Sequence, residues 1–180
     1  MAENIILIDE EDNKIGVIEK LEAHKLGKLH RAFSIFVFNT KGEMLIQQRA
    51  KEKYHCGGLW TNTCCSHPRP DEITEEAVHR RLKEEMGFDC VLREAFKFTY
   101  YSRFENGLTE YETDHVFVGI SDTEPVINKE EAMDYRWTGM RELLEDMEKN
   151  GENYTPWFRI AIEKMREKEL RPIADERQKL

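Results

Sequence analysis

The period of the apolar positions changes several times along the chain, and each change marks an element. Ile5 to Ile8 and Gly16 to Glu19 read as two short strands joined by the polar turn Asp9 to Lys14. Phe33 to Phe38, rich in aromatic and β-branched residues, predicts one arm of a hairpin. Asn39 to Gly42 supplies the turn and Met44 to Gln48 the second arm. Trp60 to Thr63 predicts a further strand leading into a loop that carries Cys65. The period then lengthens. Thr74 is a predicted N-cap, followed by Glu75 and Glu76 in a first turn that favours negative charge. Val78, Leu82 and Met86 recur at four-residue spacing, the buried stripe of a helix, and Gly87 suits its end. Phe96 to Arg103 and Tyr111 to Ile120 return to strand patterning around Asn106-Gly107, and Arg141 to Lys149 and Pro156 to Leu170 predict two closing helices. This order predicts an α+β fold with helices packed on a mixed sheet. No low-complexity linker or internal repeat interrupts it, so residues 1–180 read as one domain.

Composition narrows the class. A chain of 180 residues can bury a substantial core. The net charge of −9 argues against broad, sequence-independent nucleic-acid binding, although a local cluster of Arg, Lys and metal can reverse the field inside one pocket. The apolar run in M-A-E-N-I-I-L-I-D-E-E-D is too short for a signal peptide or a membrane span. Four cysteines (Cys56, Cys64, Cys65, Cys90) form no C-x-x-C pair and predict free thiols in a reducing cytoplasm. The expectation is a cytoplasmic monomer or weak dimer with no membrane partner.

Candidate chemistry gathers in T-N-T-C-C-S-H-P (Thr61 to Pro68) and R-R-L-K-E-E-M-G (Arg80 to Gly87). His24, His30 and His67 are candidate metal ligands, and Glu110 and Glu112 share one face of a predicted strand. Isolated histidines are commonly surface or capping residues, and an E-x-E strand is commonly a solvated face. Taken together, these five N/O groups suit Mn²⁺, Mg²⁺ or Zn²⁺. A rival assembly, a structural zinc on Cys56, Cys64 or Cys65 with His55 or His67, fits no zinc-finger spacing. On the central helix, Arg81 and Glu85 share a face, as do Arg80 and Glu84. Two ordinary surface ion pairs of about 0.3–0.5 kcal/mol each would explain them. A flank lining the Cys65 pocket would do so too, and with Lys20, Arg49 and Lys53 it could hold a diphosphate.

These motifs, with L-E-A-H, L-H-R-A-F, T-E-Y-E, M-D-Y-R-W and T-P-W-F in the same order, resemble the type 1 isopentenyl-diphosphate isomerases of the Nudix-like fold group. The resemblance covers nearly the whole chain. It implies an α/β/α sandwich with a central Nudix-type helix, and a reversible 1,3-allylic isomerisation of isopentenyl to dimethylallyl diphosphate. Laid on the Nudix box, Glu72, Arg80, Leu82, Glu84, Glu85, Gly87 and Phe88 match, whereas Ser66 replaces a glycine and Arg81 a glutamate. A guanidinium cannot ligate magnesium but can grip a diphosphate, which points away from hydrolysis. The resemblance further implies His24, His30, His67, Glu110 and Glu112 as ligands of one divalent ion. It makes Cys65 and Glu112, with Tyr100, the proton-transfer groups, Glu112 being the candidate acid for the alkene. Glu85 becomes the protein ligand of a diphosphate-bound Mg²⁺. Lys20, Arg49, Lys53 and Arg81 contact the diphosphate, and Trp157 offers a π face to the developing cation. A Nudix hydrolase and a non-catalytic binding module are the competing readings.

Overall fold

The architecture is described from a computed structural model covering residues 3–168. The strands β1 (Asn4–Ile8) and β2 (Lys14–Glu19) form the expected antiparallel pair. The Glu19 carboxylate then accepts from the Leu21 and Glu22 backbone N–H groups and so caps α1 (Lys20–Leu26). Gly27 ends this helix in the left-handed region, φ 59°. His24 and Lys20 therefore lie on a helix, in a segment too short for apolar periodicity to reveal one.

The hub of the nine-stranded sheet is β3 (His30–Phe38). It runs parallel to β8 (Thr109–Ile120), from His30 opposite Glu112 to Phe38 opposite Ile120, and β7 (Leu92–Arg103) pairs antiparallel with β8 beyond it. Three strands share its other edge. β1 meets it at His30, β6 (Cys64–Ser66) at Phe33 to Ile35, and β4 (Glu43–Arg49) only at Phe38. The expected hairpin therefore opens as a wedge. Beyond the corner, β4 pairs with β9 (Ala132–Gly139) and β5 (Trp60–Thr61). The segment expected as one strand from Trp60 to Thr63 is thus split, and Cys65 lies on β6 rather than in a loop. β9 escapes the sequence pattern because M-D-Y-R-W mixes charged and aromatic residues without a clean alternation.

Side chains alternate along β3, and each face carries its own core. Phe33, Ile35 and Val37 face α2 (Thr74–Met86), where Val78, Leu82 and Met86 form the expected stripe. Phe36 and Phe38 pack with Leu143 of α3 (Met140–Lys149) and with Phe158 and Ile162 of α4 (Pro156–Glu167). The outcome is an α/β/α sandwich on a mixed sheet. Burial on both faces is why Phe33 to Phe38 is apolar at every position except Ser34. Thr74 is the first helical residue of α2 rather than its cap. Ile73 holds the cap position without a side-chain bond, and Gly87 closes the helix at φ 75°. A Cβ at Gly87 would lie 2.7 Å from the Val126 carbonyl oxygen, so close packing as well as conformation demands glycine there. α4 ends three residues short of the expected Leu170; residues 169–170 and the R-Q-K-L tail lie outside the described residues. Among the described residues no helix is long and apolar enough to cross a membrane.

Two predictions follow from this packing. Leu82 is fully buried, and Leu82→Ala is expected to lower the unfolding free energy by about 2–5 kcal/mol in urea titrations. Glu72 accepts two 2.7 Å bonds from the Arg80 guanidinium, and these hold its carboxyl below the usual glutamate range. A depressed folded-state value stabilises above the unperturbed value of about 4.3, and that stabilisation is lost as pH falls through the folded value. Glu72→Gln should therefore melt below wild type at neutral pH and converge with it in acid. A gap that persists in acid would assign the effect to shape rather than charge.

Candidate metal centre and anion pocket

Four elements bring three histidines and a glutamate to one point. His24 comes from α1, His30 opens β3, His67 follows β6, and Glu112 sits on β8 directly opposite His30. All four are buried. The Nε2 atoms of His30 and His67 each lie 3.1 Å from Glu112 Oε1, and that of His24 lies 3.7 Å away. His24 Nδ1 donates to Lys20 O and His30 Nδ1 to Lys28 O, both at 2.7 Å. A carbonyl only accepts, so these bonds fix the proton on each Nδ1, and a ring in its neutral form then turns its Nε2 lone pair toward the carboxylate. Burial lowers His67 to about 4, so its imidazole is neutral near pH 7. Lone pairs facing a carboxylate oxygen at this range repel unless a cation lies between them. The donor set therefore fits a divalent ion.

Glu110 stands two residues along the same face of β8, and Tyr100 of β7 joins the two carboxyls. Its hydroxyl lies 2.9 Å from Glu110 Oε2 and 2.8 Å from Glu112 Oε2. A phenol has one hydrogen, so both contacts are bonds only when one carboxyl is protonated. The electrostatics select which. Burial, reinforced by the Glu112 charge, pushes Glu110 well above the carboxylate range. Burial acts on Glu112 the same way, but the hydrogen bonds its oxygens accept where the His24, His30 and His67 Nε2 atoms carry a proton outweigh it and hold that carboxyl well below, and a cation in their place would act in the same direction. Glu110 gathers with His24 and with His55, whose Nε2 is 3.1 Å from Glu110 Oε1, rather than with His30 and His67.

Cys65 lines the same cavity from β6, beside Tyr100, Glu112 and Trp157. Burial pushes its thiol up to about 12, with the Arg49 guanidinium working in the opposite direction; Arg49 Nη1 lies 3.9 Å from the sulfur. Arg49 also stands over the Trp157 ring, 5.3 Å from its centroid, so one face of that indole already meets a cation. At the other end of the cavity, Arg81 Nη2 bonds Glu85 Oε1 at 2.5 Å and contacts Glu131 at 3.1 Å, while Gln47 donates to Glu85 Oε2 at 3.0 Å. Glu85 is thus a buried carboxylate within a ring of donors, and a magnesium there would need further oxygens from a bound phosphate. Lys53 pairs with Glu131 and Lys20 with Glu3, both at this mouth.

The structure thus brings Lys20, Arg49, Lys53, Cys65, His67 and Arg81 to one cavity, together with Glu85, Tyr100, Glu110, Glu112 and Trp157. His24 and His30 lie buried at its wall. Arg81 and Glu85 are cavity residues rather than a solvated pair. Arg80 turns the other way, to Glu72 and Glu84. Among the described residues no cysteine joins the His/Glu donor groups. The sequence reading missed Gln47, Glu131 and Asp114. Only Asp114 carried a signal, because it continues the Glu110, Glu112 alternation along β8.

A NUDIX domain profile matches residues 28–158. The fold is similar to a solved Deinococcus radiodurans structure (TM-score 0.69, 21% identity, 82% of this chain and 90% of that one). It is also similar to a MutT protein of Methanosarcina mazei (TM-score 0.66, 21% identity, 79% and 96%). The isopentenyl-diphosphate Delta-isomerase 2 of Aromatoleum aromaticum is 50% identical over 165 residues, 92% of this chain and 87% of the relative. The enzyme of the same name from Photorhabdus laumondii is 51% identical over 162 residues, 90% and 92%. With that identity across nine-tenths of its length, on a Nudix fold, the chain belongs to the isopentenyl-diphosphate Delta-isomerase family.

Proposed function

We propose that this chain interconverts isopentenyl and dimethylallyl diphosphate, with Cys65 and Glu112 as the proton-transfer pair. The observation that carries the reading is one cavity with two chemically distinct ends. Cys65, Tyr100 and Glu112 line it on one side, and the cations Arg81, Lys53 and Lys20, each paired with a carboxylate, line it on the other.

The reaction adds a proton to the terminal alkene carbon, develops positive charge on the tertiary carbon, and removes a proton from the adjacent methylene. It needs one donor and one acceptor on opposite sides of the chain being isomerised. Cys65 rests as a thiol, because burial opposes the thiolate, so a proton resides on its side. Glu112 rests as the carboxylate and is the acceptor on the other side. The reverse direction starts from the opposite distribution. For Glu112 to supply the alkene proton it must first be loaded, and the Tyr100 O–H at 2.8 Å is the group in place to load it. Trp157 and Arg49, one over the other at the cavity lining, would help keep out water, which would otherwise trap the cation. A divalent ion held by His24, His30, His67, Glu110 and Glu112 would supply the charge that orients Glu112 and sets its proton affinity, and Mg²⁺ at Glu85 would neutralise the diphosphate.

The decisive measurement follows isopentenyl diphosphate with Mg²⁺ in D₂O by NMR. Deuterated dimethylallyl product is expected, and Cys65→Ala and Glu112→Gln should each nearly abolish it, the first with metal content unchanged. Normal turnover of Cys65→Ala would remove the thiol from the mechanism. Phosphate release from nucleoside diphosphate derivatives without isomerisation would restore the hydrolase reading. Arg81→Ala removes charge-assisted bonds worth about 1.5–3 kcal/mol each, so KM should rise roughly 10–100-fold. An unchanged KM would place the diphosphate elsewhere.

A further inference from the structure

We infer that His55 is a further ligand of the metal centre, a fourth imidazole that binds the same ion from the Glu110 side. The inference rests on the reading that His24, His30, His67 and Glu112 hold a divalent ion, and it adds a residue that reading does not contain.

Two donor groups are present. His24, His30, His67 and Glu112 form one, and His24, His55 and Glu110 form the other, with the ligating atoms of each within 4.8 Å of one another. They share His24, and His24 has one nitrogen to give. Its Nδ1 donates to Lys20 O, which leaves Nε2, buried and without a hydrogen-bond partner. One lone pair binds one ion, so the two groups can be filled together only as a single centre, although their six donor atoms do not all lie within 4.8 Å of one another. The Tyr100 hydroxyl, bonded to Glu110 and Glu112, ties the carboxylates of the two halves together.

His55 is built for this place. It is 7% exposed, and neither of its nitrogens has a hydrogen-bond partner. Apart from its contact with Glu110, a buried imidazole in that state loses its solvation without compensation, which a native site rarely tolerates unless something else binds there. Its orientation is fixed by packing. The ring stacks on Phe104 with centroids 4.8 Å apart and planes 5° from parallel, and Tyr54 and Trp157 meet it edge to face at 4.3 and 5.7 Å. That cage sets Nε2 3.1 Å from Glu110 Oε1. With His55 the centre has four imidazoles and two carboxylates, a donor count that six-coordinate Mn²⁺ or Mg²⁺ accepts. The imidazole-rich set favours a transition metal over Mg²⁺.

His55→Phe tests this directly, because it keeps the stacked ring and removes both nitrogens. Metal affinity is read by chelator competition with Mn²⁺ and Co²⁺, and the Co²⁺ absorption spectrum reports the ligand set. The expected result is an affinity loss of roughly tenfold or more and an altered Co²⁺ spectrum, with the circular dichroism of wild type. His30→Gln is measured alongside. If it loses the metal while His55→Phe keeps wild-type affinity and spectrum, the assignment of His55 is overturned. If neither variant loses metal, the His/Glu centre itself is wrong. Should His55→Phe not fold, pulsed EPR of the wild-type Mn²⁺ protein decides. Nitrogen couplings from four imidazoles support the inference, and couplings from three overturn it.

Discussion

The site depends on a wedge in the sheet that buried side chains hold open. β3 and β4 pair at Phe38 and Met44 and then separate, which removes a run of backbone hydrogen bonds from the protein interior. Such groups are costly to bury unpaired. Thr63 Oγ1 donates to Leu45 O at 2.7 Å and accepts from Val37 N at 2.9 Å, and so spans β4 and β3 in place of the missing ladder. Asn62 Nδ2 donates to Ile35 O and to Cys64 O, while Thr61 Oγ1 and Thr155 Oγ1 meet at 2.9 Å beside the start of α4. Thr61, Asn62 and Thr63 are fully buried. Their short polar chains let β6 enter the gap with Cys65 opposite Ser34, and the cavity exists because the gap does.

Position along β8 then divides the chemistry. Glu110, Glu112, Asp114 and Val116 occupy successive sites on one face, so the strand changes from polar site to apolar core within a few residues. Asp114 marks the transition: it is buried, bonded by Ser34 Oγ at 2.8 Å, and held well above the usual range by burial. The parallel register with β3 places His30 against Glu112 at the polar end and Phe36 against Val118 further along. A one-residue slip would send both glutamates to the α2 face and dissolve the centre.

Much of this was legible in the sequence, and the failures share a cause. The α2 stripe, the β7–β8 hairpin and the closing helices are local patterns, and the structure reproduces them. Cys65 on a strand and β9 are set by pairing with distant segments, which no local period encodes, and α1 around His24 is too short to carry one. His55 shows the same limit at the level of chemistry. It lies in a turn whose sequence gives no ligand spacing, and only the fold brings it to Glu110. Arg81 is the opposite case, because its departure from the Nudix box was visible in the chain itself.

That arginine also explains how one fold serves two chemistries. Glu84 and Glu85 on α2 are the carboxylates that a hydrolase would use to gather magnesium around water. Here Arg81 bonds both, at 2.7 and 2.5 Å, and reaches Glu131 as well, while Arg80 takes a further bond to Glu84 at 3.1 Å. Two guanidiniums hold the charge that would otherwise recruit a metal cluster, leaving Glu85 as the one box carboxylate inside the cavity. Among the described residues, the buried His/Glu donors that could hold a metal lie away from the box, at His24, His30, His55, His67, Glu110 and Glu112. A charge reversal at one helical position thus sets this helix apart from the hydrolase box, because the guanidinium that replaces a carboxylate also pairs with the two that remain.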